Sequence, residues 1–208
     1  MLAAKTRFVV FASGNGSNAR ALFEHARKNQ NRLEALALIC DRPAFGAMKA
    51  AEEFSIPAHV ISHKDEAALL SLLHKIQPDW ALLAGYKRLV GQSFLNFFEN
   101  KNADYFRVMN VHPSLLPAYP GLGGYERAFR DGVKISGVTI HLVDSGLDTG
   151  LPILQAPIAR EERDTLESFS AKGQALEHLL YKTALDLAAA GKIKIRTIGE
   201  ARFVSVEE

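Results

Sequence analysis

Near its amino terminus the chain runs Phe8-Val9-Val10-Phe11, then Ser13-Gly14-Asn15-Gly16-Ser17-Asn18, then the Ala-, Leu- and Phe-containing stretch Ala19 to Arg27. The apolar run is too short for a helix and does not alternate, so it suits a strand buried on both faces of a parallel sheet. A strand that enters a helix through a glycine loop confines the chain to α/β architectures. In that geometry backbone N–H groups and the helix dipole converge on an anion, and a phosphate could sit at Asn15 to Asn18. The loop also fits G-x-G-x-x-A, and Asp41 follows the apolar run Leu36 to Cys40 where a ribose-binding acid is expected. A nicotinamide-dependent dehydrogenase or a non-catalytic nucleotide-binding module is therefore a rival on this segment. A plain turn with Ser17 or Asn18 capping the helix accounts for the polar residues but not for two glycines.

The alternation continues. Ala44 to Phe54 reads as helix, Ala58 to Ile61 as strand, Lys64 to Ile76 as helix, Asp79 to Ala84 as strand, Gln92 to Asn100 as helix and Arg107 to Val111 as strand. This pattern predicts a mainly parallel, Rossmann-like twisted sheet with helices on both faces and ligands at the carboxyl ends of its strands. The glycine loop, Gly85-Tyr86 and Asn110 all follow strands and so share one edge. Further on, Ser136 to Leu142 reads as a strand with Gly137, Thr139 and His141 on one face. The turn-rich Val143 to Gly150 and a second strand, Leu151 to Ile158, follow. Asp164-Thr165-Leu166-Glu167 has the form of a capping box opening a helix that Gly191 ends after Ala190, and Lys192 to Ile198 alternates as a small terminal strand. With no repeat, low-complexity tract or linker, residues 1–208 read as a single domain.

Composition excludes several functions. A net charge of +2 over 208 residues, with no basic block beyond Lys87-Arg88, lacks the electrostatic footprint of a nucleic-acid binder. The lone Cys40 rules out an internal disulfide and a cysteine metal cluster, and its apolar surroundings make it a core residue. No apolar stretch approaches a membrane span and Met1 to Arg7 has no long hydrophobic signal region, so a cytoplasmic protein is expected.

The chemistry concentrates in Asn110-Val111-His112-Pro113-Ser114, continued by Leu115-Leu116-Pro117, and in Asp148. Two residues apart on an extended backbone, the Asn110 and His112 side chains lie on the same face. An amide and an imidazole can hold a developing oxyanion, while a carboxylate orients or charges the imidazole and moves protons. Without the acid, Asn110 and His112 could equally be satisfying turn hydrogen bonds. The other histidines, His25, His59, His63, His74 and His178, have no partner at a telling spacing.

NVHPSLLP, the GVTIHLV strand and the LDTG that contains Asp148 together resemble the folate-dependent formyltransferases, over about Phe8 to Ala190. The resemblance implies that residues 1–208 form one formyltransferase catalytic domain with Asn110, His112 and Asp148 as its catalytic trio and with His141 and Ser114 in support. It further implies a phosphate-binding loop at residues 14–18 and contacts to the ribonucleotide from Gln174 and Glu177, which lie three apart and otherwise read as a solvated stripe. A folate pocket is implied at Tyr86, Lys87, Arg88, Leu89, Val90 and Val143, where the residues alone suggest only a surface loop. The expected donor is 10-formyltetrahydrofolate as cosubstrate, without metal, and the expected acceptor is glycinamide ribonucleotide. Neither nucleic acid nor membrane is an expected partner, and the chain would work as a monomer or homodimer. Tyr125 stands where many members carry His, Gly123-Gly124 loosens that segment, and Pro152 is displaced by one residue. These departures bear on acceptor choice and leave other amines, or water, as alternative acceptors.

Overall fold

A computed structural model describes residues 4–206; the first three residues of the Met1 to Arg7 stretch lie outside them. The chain divides into two compact units, one ending at Asn110 and the other beginning at Val111.

The first unit holds β1 (Thr6–Phe11), α1 (Ser17–Lys28), β2 (Leu33–Cys40), α2 (Phe45–Glu53), β3 (Ala58–Val60), α3 (Glu66–Ile76), β4 (Trp80–Leu83), α4 (Gln92–Phe97) and the start of β5 (Val108–His112). Its strands lie in the order β3-β2-β1-β4-β5 and every pairing is parallel. The chain steps outward from β1 to β3 and then returns to the other side of β1 with β4. Right-handed crossovers on either side of that reversal place helices on opposite faces. The packing agrees, since α1 rests on α2 and α3 on α4. The expected α/β fold with a mainly parallel sheet is thus what the residues form. Phe8, Val9, Val10 and Phe11 are all buried, each stabilising the core by about 1.5–3 kcal/mol. The reversal between β1 and β4 is the topological switch point, the place at which open α/β sheets bind their ligands.

In the second unit come α5 (Gly124–Arg130), β6 (Ile135–Leu142), β7 (Pro152–Ala159), α6 (Leu166–Ala189), β8 (Ile193–Ile198) and β9 (Ala201–Val206). β6 and β7 pair antiparallel, as do β8 and β9. α6 packs on β6, β7 and α5.

Three local features differ from the sequence expectation. The helix α5 arises in a segment that its two glycines made look pliant, because Gly124 lets the backbone approach Pro113: a Cβ there would lie 2.5 Å from the Pro113 carbonyl oxygen. β9 appears because it completes a hairpin with β8. The capping box of α6 is shifted by one residue, with Thr165 as the cap and its hydroxyl accepting from the Ser168 N–H while Ser168 returns the bond. Asp164 instead accepts from the Glu161 N–H, Lys172 and the Ser168 hydroxyl, and these three, the backbone N–H foremost, hold its carboxyl down at about 2.

Candidate functional site

In the first unit the glycine loop leads from β1 into α1. Gly16 is the helix cap, at φ 77°, and no side chain caps the helix; Asn15 Oδ1 accepts from the Ser17 N–H at 3.3 Å. Gly16 has two reasons to be glycine, its left-handed backbone and Ala47, whose Cα would lie 2.4 Å from an added Cβ. Gly14 has neither: its backbone is not left-handed and an added Cβ would meet nothing within 4 Å. Asn18 is buried rather than presented to solvent.

Behind this loop lies Asp41, just past β2, with a side chain only 2% exposed. Its Oδ1 accepts from the Ser13 hydroxyl at 2.9 Å and its Oδ2 from Arg88 Nε at 2.8 Å. Burial alone would raise this carboxyl, but the Arg88 and Ser13 hydrogen bonds and the Arg88 charge outweigh it and hold it below the usual range. Both oxygens that a dinucleotide ribose would need are therefore already engaged, which weakens the dehydrogenase alternative. Cys40 next to it is pushed up to about 11 by burial and by Asp41, so it stays a thiol, as its place in the core suggested. Of the residues after β4, Tyr86 is half-buried and meets Phe11 edge-on with ring centroids 5.4 Å apart, while Lys87, Arg88 and Leu89 are exposed and Val90 is half-buried.

β5 carries Asn110 and His112, whose alternation along the strand turns both side chains to one side; Asn110 is half-buried and His112 buried. In the second unit the His112 ring lies between two acceptors, with Nδ1 3.2 Å from Asp148 Oδ2 and Nε2 2.8 Å from the Tyr119 carbonyl oxygen. The Asp148 carboxylate also accepts from the Gly121 N–H at 2.7 Å and lies 3.6 Å from His141 Nε2. His141 Nδ1 lies 2.8 Å from its neighbour's acceptor, the Leu142 carbonyl, and burial lowers the affinity of this imidazole for a proton. Asp148 has a left-handed backbone, φ 54°, as does Tyr119, φ 53°. Ser114 is fully buried; its hydroxyl donates to the Ala118 carbonyl and its carbonyl accepts from Thr139 Oγ1.

The two α6 residues part company. Gln174 is exposed, whereas Glu177 is buried and its Oε1 accepts a 2.7 Å hydrogen bond from the Tyr125 hydroxyl. Gly173 makes room for that ring, since a Cβ there would lie 2.3 Å from both Tyr125 Cζ and the hydroxyl oxygen. Val143 is half-buried at the end of β6.

The structure thus gathers His112, His141 and Asp148 into one cluster, while Ser114 is buried and bonded to the Ala118 carbonyl in the turn after His112. Sequence reasoning missed the backbone partners, the Tyr119 carbonyl and the Gly121 N–H, because backbone groups leave no residue-type signal. The Tyr119-Pro120-Gly121 turn was the nearest hint. Among the described residues no group of three or more His, Cys, Asp or Glu side chains is arranged to hold a metal ion. No helix among them is long and apolar enough to cross a membrane.

Residues 6–185 match the family model described as formyl transferase. Phosphoribosylglycinamide formyltransferase of Bacillus subtilis (strain 168) is 38% identical over 186 residues, which cover 86% of this chain and 92% of that protein. Among solved structures, glycinamide ribonucleotide transformylase 1 from Symbiobacterium toebii superposes with a TM-score of 0.87 at 33% identity, over 98% of this chain and 95% of that one. Phosphoribosylglycinamide formyltransferase from Bacillus halodurans gives 0.79 at 41% identity, over 86% and 93%.

Proposed function

This chain belongs to the formyl transferase family, and we propose that it transfers the formyl group of 10-formyltetrahydrofolate to the primary amine of glycinamide ribonucleotide in de novo purine biosynthesis. The observation that carries this reading is the buried His112 ring held between the Asp148 carboxylate and the Tyr119 carbonyl. Both neighbours are acceptors, so each asks for a proton on the nitrogen facing it, and the arrangement suits an imidazolium balanced by Asp148.

In this reading the neutral amine attacks the formyl carbon, and the carbonyl electron pair moves onto oxygen. The Asn110 amide and a His112 N–H stabilise that oxyanion. Asp148 takes the proton that the attacking nitrogen must lose and returns it to the folate nitrogen. The bond from that nitrogen to carbon then breaks, giving formylated ribonucleotide and tetrahydrofolate. His141 and Ser114 support the cluster, His141 beside Asp148 and Ser114 by fixing the loop after His112.

The glycine loop, Gly14 to Asn18, holds the ribonucleotide phosphate at the start of α1, where Gly16 supplies no side chain to compete for the backbone N–H groups. Gly14 supports this, because neither packing nor backbone conformation requires a glycine there, which fits a backbone left bare for a ligand to lie against. Gln174 and Glu177 contact the remainder of the ribonucleotide, and Tyr86, Lys87, Arg88, Leu89, Val90 and Val143 line the folate pocket. Residues 1–208 act as one catalytic domain, in the cytoplasm, as monomer or homodimer, on small molecules and not on nucleic acid, and without a metal. The test is a transfer assay with both substrates that scores formylated ribonucleotide against free formate. Formate alone would make the protein a hydrolase, and no turnover of the folate would reject the reading.

A further inference from the structure

The reaction above leaves Asp41 without a task, although it is a charged side chain almost wholly buried at the switch point between β1 and β4. Its partners come from two different loops. Ser13, which donates to Oδ1, directly precedes the glycine loop, and Arg88, which donates to Oδ2, belongs to the segment after β4. The two loops also touch through the same serine, whose hydroxyl oxygen accepts from the Lys87 N–H at 3.4 Å, and the second loop meets β1 through the edge-on contact of Tyr86 with Phe11. One carboxylate thereby links the strand ends of β1, β2 and β4. A hydrogen bond to an ionised group is about twice as strong as a neutral one, so this link is stiff compared with the loops it joins.

We propose that Asp41 is a positioning residue that holds both ligand loops in their binding-competent form, so that a single buried carboxylate sets the affinity for ribonucleotide and folate together. The proposal rests on the reading of residues 14–18 and 86–90 as the two substrate loops. Its physical basis is preorganisation: a loop already fixed in its bound shape loses less freedom when the ligand arrives. Asp41 touches neither substrate, and its influence passes through Ser13 and Arg88.

Isothermal titration of the full chain with glycinamide ribonucleotide alone, and separately with a non-reactive 10-formylfolate analogue, tests this in wild type, Asp41→Asn, Asp41→Ala and Ser13→Ala. Both Asp41 variants should raise both dissociation constants, by about tenfold in Asp41→Ala, the scale of one lost charge-assisted hydrogen bond, with kcat at saturating substrates within threefold of wild type. Ser13→Ala should weaken the ribonucleotide several-fold and the folate analogue by less, since Arg88 keeps its bond to Asp41 while the Lys87 N–H loses its acceptor. A merely structural role would lower Tm and the active fraction without moving either constant of the folded protein. Unchanged constants in folded Asp41→Ala, or a loss confined to kcat, would overturn the proposal. Should neither Asp41 variant fold, wild-type ribonucleotide affinity in Ser13→Ala would do the same. Failure of wild type itself to bind or formylate would instead sink the reading of the function.

Discussion

Replacing glycine by alanine inside a 24-residue helix such as α6 ordinarily stabilises it by about 1 kcal/mol, and Gly173→Ala should do the reverse. The new methyl would lie 2.3 Å from Tyr125 Cζ and from its hydroxyl oxygen. The ring must therefore retreat by more than an ångström, yet it is buried and packed edge-on against Phe169. Overpacking of this kind costs about 1–3 kcal/mol. The retreat also breaks the hydrogen bond to Glu177, whose loss from a buried charged acceptor adds about 1.5–3 kcal/mol. Set against the helix gain, the net destabilisation is about 1.5–5 kcal/mol, or roughly 3–20 °C in Tm for a chain of this size. Thermal melts of four proteins decide the matter: wild type, Gly173→Ala, Tyr125→Ala and the double variant. In the Tyr125→Ala background the clash is gone and Gly173→Ala should raise Tm. A Tm equal to or above wild type for the single Gly173→Ala protein would refute the reasoning.

Three further outcomes follow from the site. His112→Ala and Asp148→Asn should each lower kcat by about 10² or more, the scale of a lost general acid–base group, with ribonucleotide affinity by titration close to wild type; near-normal turnover in either would reject the assigned roles. Gly14→Ala should leave Tm within about 1 °C, since the methyl meets no neighbour, but raise the ribonucleotide KM at least tenfold, and an unchanged KM would remove the phosphate from this loop. Burial lowers the His141 affinity for protons below its ordinary value of 6.5, so the unfolded chain binds more protons once the pH drops below that value. Stability should be full above pH 6.5 and fall on acidification through the window down to the folded-state value. The slope from this group is at most about 1.4 kcal/mol per pH unit, and His178 adds in the same direction. Urea melts of His141→Gln should show a shallower acid slope, and a slope identical to wild type would contradict the assignment.

Much of this molecule is legible in the order of its residues because the informative patterns are local. The continuous apolar run of β1 announces burial on both faces, and the alternation of strands and helices through β5 dictates the parallel sheet. The i, i+2 spacing of Asn110 and His112 needs only the pleat of a strand. What could not be read depends on pairs far apart in sequence. Tyr125 meets Glu177 across 52 residues and Arg88 meets Asp41 across 47, and no periodicity links such positions. Asp41 therefore looked like a ribose ligand and Glu177 like half of a solvated stripe. The helix α5 was hidden because two glycines signal looseness by propensity, whereas here Gly124 is used for a close backbone approach to Pro113. The one-residue slip in the α6 cap has a comparable cause, since Asp164 and Thr165 are both good caps and the competing demand of the Glu161 N–H and Lys172 for Asp164 decides between them.

The left-handed backbone of Asp148 restricts how this site can drift over evolutionary time. Among non-glycine residues that conformation is tolerated best by Asp and Asn, so a longer acid such as Glu would keep the charge but strain the turn. The easiest neighbour to reach is the amide, which exchanges one oxygen for nitrogen and preserves the shape. A descendant that took that step would keep its architecture while losing its proton carrier, and an overlay of backbones would never distinguish it from a working relative.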